Sequence, residues 1–301
     1  MPRNKRLVYF SISPNHSCLD YHEFGGTSFK VSCIGMGTYY GVLSGAFSGA
    51  TGRQQFWDEK AAALKKGIEL GMNLIDTAEV YQTEKLVGEV IRNERRDEMF
   101  IATKVWSSHL HYDDMLKSAR ASVSKLELTY VDLYQIHWPN GKIPIGETMR
   151  AMEKLVDEGK IRFIGVSNFS TAQTKEAQES LSKHRLISNQ VEYNLMTRDV
   201  ERDLLPYCKS NGIAVLAYRP LAHGSLTKPN GRLGVTMEEI SKRHERKTPA
   251  QIALNWLLAR RENVFPIPRA SRLEHVVEDA GATGWSLDEG EVTALLAAAH
   301  S

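Results

Sequence analysis

The chain has 301 residues, 42% hydrophobic and 25% charged, with a formal net charge of +2. So small a charge excludes the concentrated basic face that duplex binding needs. Three scattered cysteines, Cys18, Cys33 and Cys208, argue against a disulfide framework, and no C-x-x-C pair marks a structural zinc. Arg3, Lys5 and Arg6 precede a run of only four apolar residues, Leu7 to Phe10, too short for a signal-peptide core. No stretch approaches a membrane span. The expectation is a soluble, cytoplasmic protein with no membrane or nucleic-acid partner.

Residues 1–19 read as an N-terminal extension and residues 20–301 as one domain. Residues 20–32 alternate loosely around Gly25-Gly26, a hairpin signal. A strand-then-helix rhythm follows. The pairs are strand 31–35 with helix 58–70, strand 74–76 with helix 83–92, and strand 100–104 with helix 113–126. Next come strand 131–137 with helix 147–157, strand 163–167 with helix 171–181, and strand 187–191 with helix 200–209. Strand 213–218 precedes helix 249–259, and strand 264–267 precedes helices 273–280 and 287–298. Ser170 and Thr248 read as N-caps, the latter followed by Pro249. Gly159 and Gly212 mark helix ends. Residues 45–52 and 222–235 read as loops.

Eight such units without an internal linker predict a closed (β/α)8 TIM barrel with an N-terminal β-hairpin and additional C-terminal helices. An open doubly wound sheet would show G-x-G-x-x-G after its first strand. Here Gly35-Met36-Gly37 is followed by Thr38-Tyr39-Tyr40.

Barrel enzymes work at the C-terminal ends of their strands. The polar residues closing the runs are Asp76, Lys104, His137, Ser167, Asn168, Gln190, Tyr218 and Arg269, with Tyr81 five residues beyond Asp76. An acid, an amine, an imidazole and a phenol gathered at one mouth can deliver a proton to a carbonyl oxygen as charge builds there. A Lys104 ammonium beside Tyr81 is expected to lower the phenol's pKa, and Asp76 to offset the cost of burying that ammonium.

Six segments, in order, resemble the aldo-keto reductase family. They are Asn73 to Tyr81, Thr103-Lys104, Ile136-His137-Trp138-Pro139, Gly165 to Phe169, Asn189 to Asn194, and Ile267-Pro268. The resemblance implies a (β/α)8 barrel that binds NADPH without a Rossmann domain and reversibly reduces aldehydes and ketones. It places Tyr81, His137, Lys104 and Asp76 as the catalytic four. It assigns Ser167, Asn168 and Gln190 to the nicotinamide carboxamide and Tyr218 to stacking on the ring. Arg219, before Pro220 and Leu221, stands where relatives often carry Ser; it could reach the pyrophosphate or equally turn outward to solvent. Ile267, Arg269, Ser271 and Arg272 form the phosphate segment, the two arginines suiting a 2′-phosphate. Glu278 and Asp279 fall at the adenine, Asp replacing the usual Asn.

Tyr39, Trp106 and Trp138 are expected to line the substrate pocket. His109 and His111 form His-x-His with no third ligand marked, so no metal is expected. The chain stops soon after its last helix, and the corresponding expectation is an open, permissive site. The partner expected is a small carbonyl compound, with no obligate protein partner. The alternative reading is a regulatory or redox-sensing subunit that binds NADPH and turns over negligibly.

Overall fold

The computed structural model describes residues 19–41, 49–259 and 263–299. Most of the expected extension, and residues 45–48 of the first expected loop, lie outside the described residues. Two short antiparallel strands come first, β1 (Tyr21–Glu23) and β2 (Lys30–Ser32). Between them Gly25 and Gly26 take φ of +56° and +64°, where a Cβ would be strained.

The barrel begins at β3 (Met36–Gly37) and α1 (Gly49–Glu69). It continues through β4 (Leu74–Asp76), α2 (Glu84–Ile91), β5 (Phe100–Val105), α3 (Tyr112–Lys125), β6 (Val131–Ile136) and α4 (Ile145–Asp157). Then follow β7 (Ile161–Ser167), α5 (Thr171–Glu179), β8 (Leu186–Glu192), α6 (Leu204–Ser210) and β9 (Ala214–Tyr218). Helices α7 (Gly231–Arg243) and α8 (Pro249–Ala259), strand β10 (Val264–Pro266), and helices α9 (Leu273–Ala280) and α10 (Glu289–Ala299) complete it.

Strands β3 to β10 pair parallel in chain order. The amides of Gly35 and Gly37 donate to the carbonyls of Pro266 and Pro268 at 2.9 and 2.8 Å, and Gly37 bridges to Arg269. The first and last strands therefore meet, and the sheet is a (β/α)8 barrel.

Strand side chains alternate between faces. Leu74, Phe100, Ala102 and Leu133 fill the barrel interior, while Ile75, Ile101 and Tyr134 pack against the helices. The same period sends Asp76, Lys104 and His137 inward, at the C-terminal end. The hairpin plugs the opposite end: the buried Phe24 ring lies 4.7 Å from Phe100 and 5.0 Å from Phe265.

Three expectations need correction. The strand expected over 31–35 ends at Ser32, and the barrel strand begins only at Met36. Val31 belongs to the hairpin and fills the barrel floor, whereas Met36 carries the barrel strand and packs outward. The loop expected over 222–235 holds a 3-10 turn, Ala222–Thr227, and the start of α7. Buried Leu226, Met237 and Ile240 anchor it where local propensity is weak. Helix α1 also starts well before residue 58, taking in part of the loop expected over 45–52. The capping at Ser170 and Thr248 is present, each cap exchanging hydrogen bonds with a glutamine three residues on. Among the described residues no helix is long and apolar enough to cross a membrane, and no cluster of His, Cys, Asp and Glu could hold a metal.

Candidate active site

Four inward side chains meet above the apolar interior. Lys104 is fully buried. Its ammonium donates to Asp76 Oδ1 at 2.5 Å, to the Thr77 carbonyl at 2.9 Å and to the Tyr81 hydroxyl at 3.4 Å. Three protons meet three acceptors, so the cation is saturated. Gln190 Nε2 donates to both Asp76 oxygens at 3.2 and 3.0 Å. Tyr81 arrives on the 3-10 turn Glu79–Tyr81, just past β4, and its hydroxyl stands 3.3 Å from His137 Nε2. The two rings meet edge-on, centroids 5.4 Å apart.

Burial depresses Lys104, but Asp76 and Tyr81 outweigh it and raise the pKa, so the amine stays charged. Burial raises Asp76, against the pull of Lys104 and Gln190. The expected lowering of the Tyr81 pKa is not found. Burial raises it above the usual 10.0 and exceeds the opposing influence of Lys104. The phenol is thus a protonated donor at neutral pH. Burial, helped by Lys104, pushes His137 down to about 3 and keeps it neutral. Its Nδ1 is buried with no partner among the described residues. An orphaned N–H there would be the costlier choice, so the ring proton belongs on Nε2. The phenol oxygen then accepts from both Lys104 and His137, which leaves its own proton for the pocket.

Beside this group lies an amide-rich wall. Ser167 Oγ donates to the Gln190 carbonyl at 2.9 Å. Asn168, at φ +62°, donates to the His137 carbonyl and to Ser167 Oγ at 3.0 Å each, and accepts from the Tyr218 hydroxyl at 2.9 Å. Gln190 Oε1 has no hydrogen bond among the described residues. Arg219 is exposed at φ +50°, lies 5.7 Å from the Tyr218 ring and pairs with Glu192 at 2.9 Å. Pro220 and Leu221 carry the chain on from it toward α7.

Along the last strand, Ile267 packs into the barrel interior. Arg269 is exposed and has no ion pair among the described residues. Arg272 Nε is 3.9 Å from Glu59. Helix α1 braces this segment, Lys60 donating to the Ser271 carbonyl at 2.8 Å. Glu278 is half-buried on α9. Asp279 is buried, and burial followed by the neighbouring Glu278 holds its carboxyl well above the usual range. At the mouth, Tyr39 lies 5.0 Å from the Tyr81 ring, and Trp106 meets His137 edge-on at 5.3 Å. Trp138, 43% exposed, follows His137 at the rim.

Sequence reasoning missed Thr77, Glu79, Glu192 and Lys60. Glu79 and Thr77 sit in a loop with no periodicity to mark them. Glu192 was visible at a strand end but had no partner to suggest its role. Lys60, four residues after Phe56 on one helix face, rests 4.6 Å from that ring.

The aldo/keto reductase family model matches residues 42–299. The chain belongs to the aldo/keto reductase family. Membership makes it an oxidoreductase. This aldo/keto reductase is 35% identical over 277 residues to methylglyoxal reductase YeaE of Escherichia coli, covering 91% of this chain and 92% of that protein. The thermostable aldo-keto reductase Tm1743, solved with the inhibitor epalrestat, superposes with a TM-score of 0.84 at 40% identity, covering 93% of this chain and all of that one. An aldo/keto reductase of Klebsiella pneumoniae, solved with NADP and acetate, has a TM-score of 0.79 at 35% identity, covering 90% and 92%.

Proposed function

We propose that this aldo/keto reductase reduces small aldehydes and ketones with NADPH, dicarbonyls such as methylglyoxal among them, and that Tyr81 donates the proton. One observation carries the reading: a protonated phenol stands between a saturated ammonium at 3.4 Å and a neutral imidazole at 3.3 Å. The Escherichia coli relative is named for methylglyoxal, and the Klebsiella structure contains NADP.

The residues present fit a nicotinamide. An amide needs donors and acceptors. Gln190 Oε1 is an unused acceptor in a buried wall, with Ser167 and Asn168 beside it and the face of Tyr218 close by. Arg219, Pro220 and Leu221 would take the pyrophosphate side. Arg269 and Arg272 would hold a 2′-phosphate, with Ile267 and Ser271 shaping that segment, and Glu278 and Asp279 would meet the adenine. Bound there, NADPH supplies the hydride.

The chain's own residues handle the charge. When a carbonyl oxygen sits between them, the Nε2–H of His137 passes from the phenol oxygen to the substrate oxygen and orients it, and Tyr81 gives that oxygen its proton as negative charge develops there. Lys104 stabilises the phenolate left behind, and Asp76 keeps Lys104 in place. In the alcohol-to-carbonyl direction the phenolate is the base, so oxidation rises with pH toward the Tyr81 pKa while reduction falls. Tyr39, Trp106 and Trp138 hold the apolar part of the substrate.

Steady-state oxidation of NADPH with methylglyoxal and a panel of aldehydes tests this. Saturable, carbonyl-dependent oxidation is expected. Tight NADPH binding with no carbonyl-dependent turnover would instead favour a cofactor-sensing subunit.

A further inference from the structure

We infer that Glu79 is a positioning residue that locks the pocket wall onto the proton donors. This rests on the reading of Tyr81 and His137 as the donors. Glu79 and Tyr81 share one 3-10 turn. The Glu79 side chain is only 11% exposed, and its Oε1 accepts the Trp106 amide at 2.5 Å. The same oxygen lies 3.0 Å from His109 Nδ1. The His109 amide in turn donates to the Trp106 carbonyl at 3.0 Å, so these residues close a ring around one carboxylate oxygen. Trp106 then stands edge-on to His137, and His137 edge-on to Tyr81.

The consequence is mechanical. The turn after β4 and the loop after β5 carry the phenol and the indole, and Glu79 is a hydrogen-bonded tie between them. Without it, Trp106 keeps its ring but loses the anchor that aims the ring at His137. At the far end of the same loop, Glu147 Oε1 accepts the Tyr112 amide at 2.9 Å and faces His111 Nδ1 at 3.1 Å. The His-x-His pair therefore serves as two carboxylate-orienting props. Only the Glu79 tie reaches the donors. A displacement of about 1 Å at a reacting group can cost on the order of a hundredfold in rate, so a tie of this kind has leverage on catalysis.

The test is a double-mutant cycle with a spectroscopic companion, using the full chain. Glu79→Ala is expected to lower kcat/KM for the carbonyl about tenfold, mostly through kcat, with NADPH affinity within about twofold of wild type. Glu79→Gln, whose Oε1 still accepts the Trp106 amide, should restore most of that loss. In a Trp106→Ala background, Glu79→Ala should cost little more. The His137 ring-proton NMR signal, shifted by the Trp106 indole, should move in Glu79→Ala and stay in Glu79→Gln. That readout needs no turnover, so a wild type that reduces nothing would reject the donor reading and still test the tie. Should Glu79→Ala not fold, His109→Ala carries the test, with a smaller loss and a smaller shift of the same signal. An unmoved His137 signal in either variant, or full additivity with Trp106→Ala, overturns the inference.

Discussion

Each end of the barrel buries a carboxylate against cations, and the two are finished differently. At the N-terminal end Asp132 accepts Arg96 at 2.6 Å and the Ile101 amide at 2.9 Å on one oxygen, and Arg162 at 2.9 Å on the other. Both guanidiniums also lie on the Tyr130 ring, at 4.1 and 4.8 Å. Both oxygens of the carboxylate there are spent inside the fold. At the C-terminal end Asp76 is held as tightly by Lys104 and Gln190, but the ammonium's third proton goes to Tyr81, whose own proton is left for the pocket. The first arrangement ties β5, β6 and β7 together. The second leaves a protonated phenol at its open edge.

The largest effect that would break this contrast lies at the closed end. Asp132→Ala removes the buried acceptor shared by the Ile101 amide and two partly exposed arginines and should cost about 3 kcal/mol of stability, read from denaturant unfolding. The kcat and KM of the folded fraction should stay as in wild type. A kinetic loss without a stability loss would erase the distinction between the ends.

The arginines sharpen it further. Arg96 and Arg162 are committed to Asp132, whereas Arg269 holds no ion pair among the described residues. If Arg269 is kept for a 2′-phosphate, Arg269→Ala should weaken NADPH tenfold or more, in line with about 1.5–3 kcal/mol for a charged hydrogen bond, and leave NADH nearly unchanged. Titration with each nicotinamide nucleotide checks this, and equal losses would remove the assignment.

The smallest effect concerns pH. The His137 pKa falls from 6.5 to about 3 on folding. Between those values the unfolded chain binds a proton that the folded chain refuses, so stability drops as pH falls through 6.5 toward 3. Relative to His137→Gln, wild type should lose about 1–2 kcal/mol more by about pH 5. Parallel acid unfolding curves would contradict a buried neutral imidazole.

Much of this was legible in the chain because period-two alternation is rigid. Once Leu74, Phe100 and Leu133 face inward, Asp76, Lys104 and His137 must face inward too. The barrel followed from eight strand-then-helix units in order. Tertiary context decided the rest. The apolar run from Val31 serves a hairpin and then a barrel strand, and local pattern does not say where it divides. Helix α7 begins among glycines and is held by long-range burial of Met237 and Ile240. The Tyr81 pKa depends on how deeply the phenol sits, which its neighbours in sequence do not reveal. Glu79 acts across a gap between two loops, and nothing in a single loop signals that.

The most direct test of a phenol poised by the buried lysine is Tyr81→Phe in single-turnover reduction of an aldehyde, with NADPH affinity measured alongside. The expected result is a rate lower by about two to four orders of magnitude, with affinity and unfolding midpoint near wild type. Retention of the wild-type rate would show that the proton comes from another group.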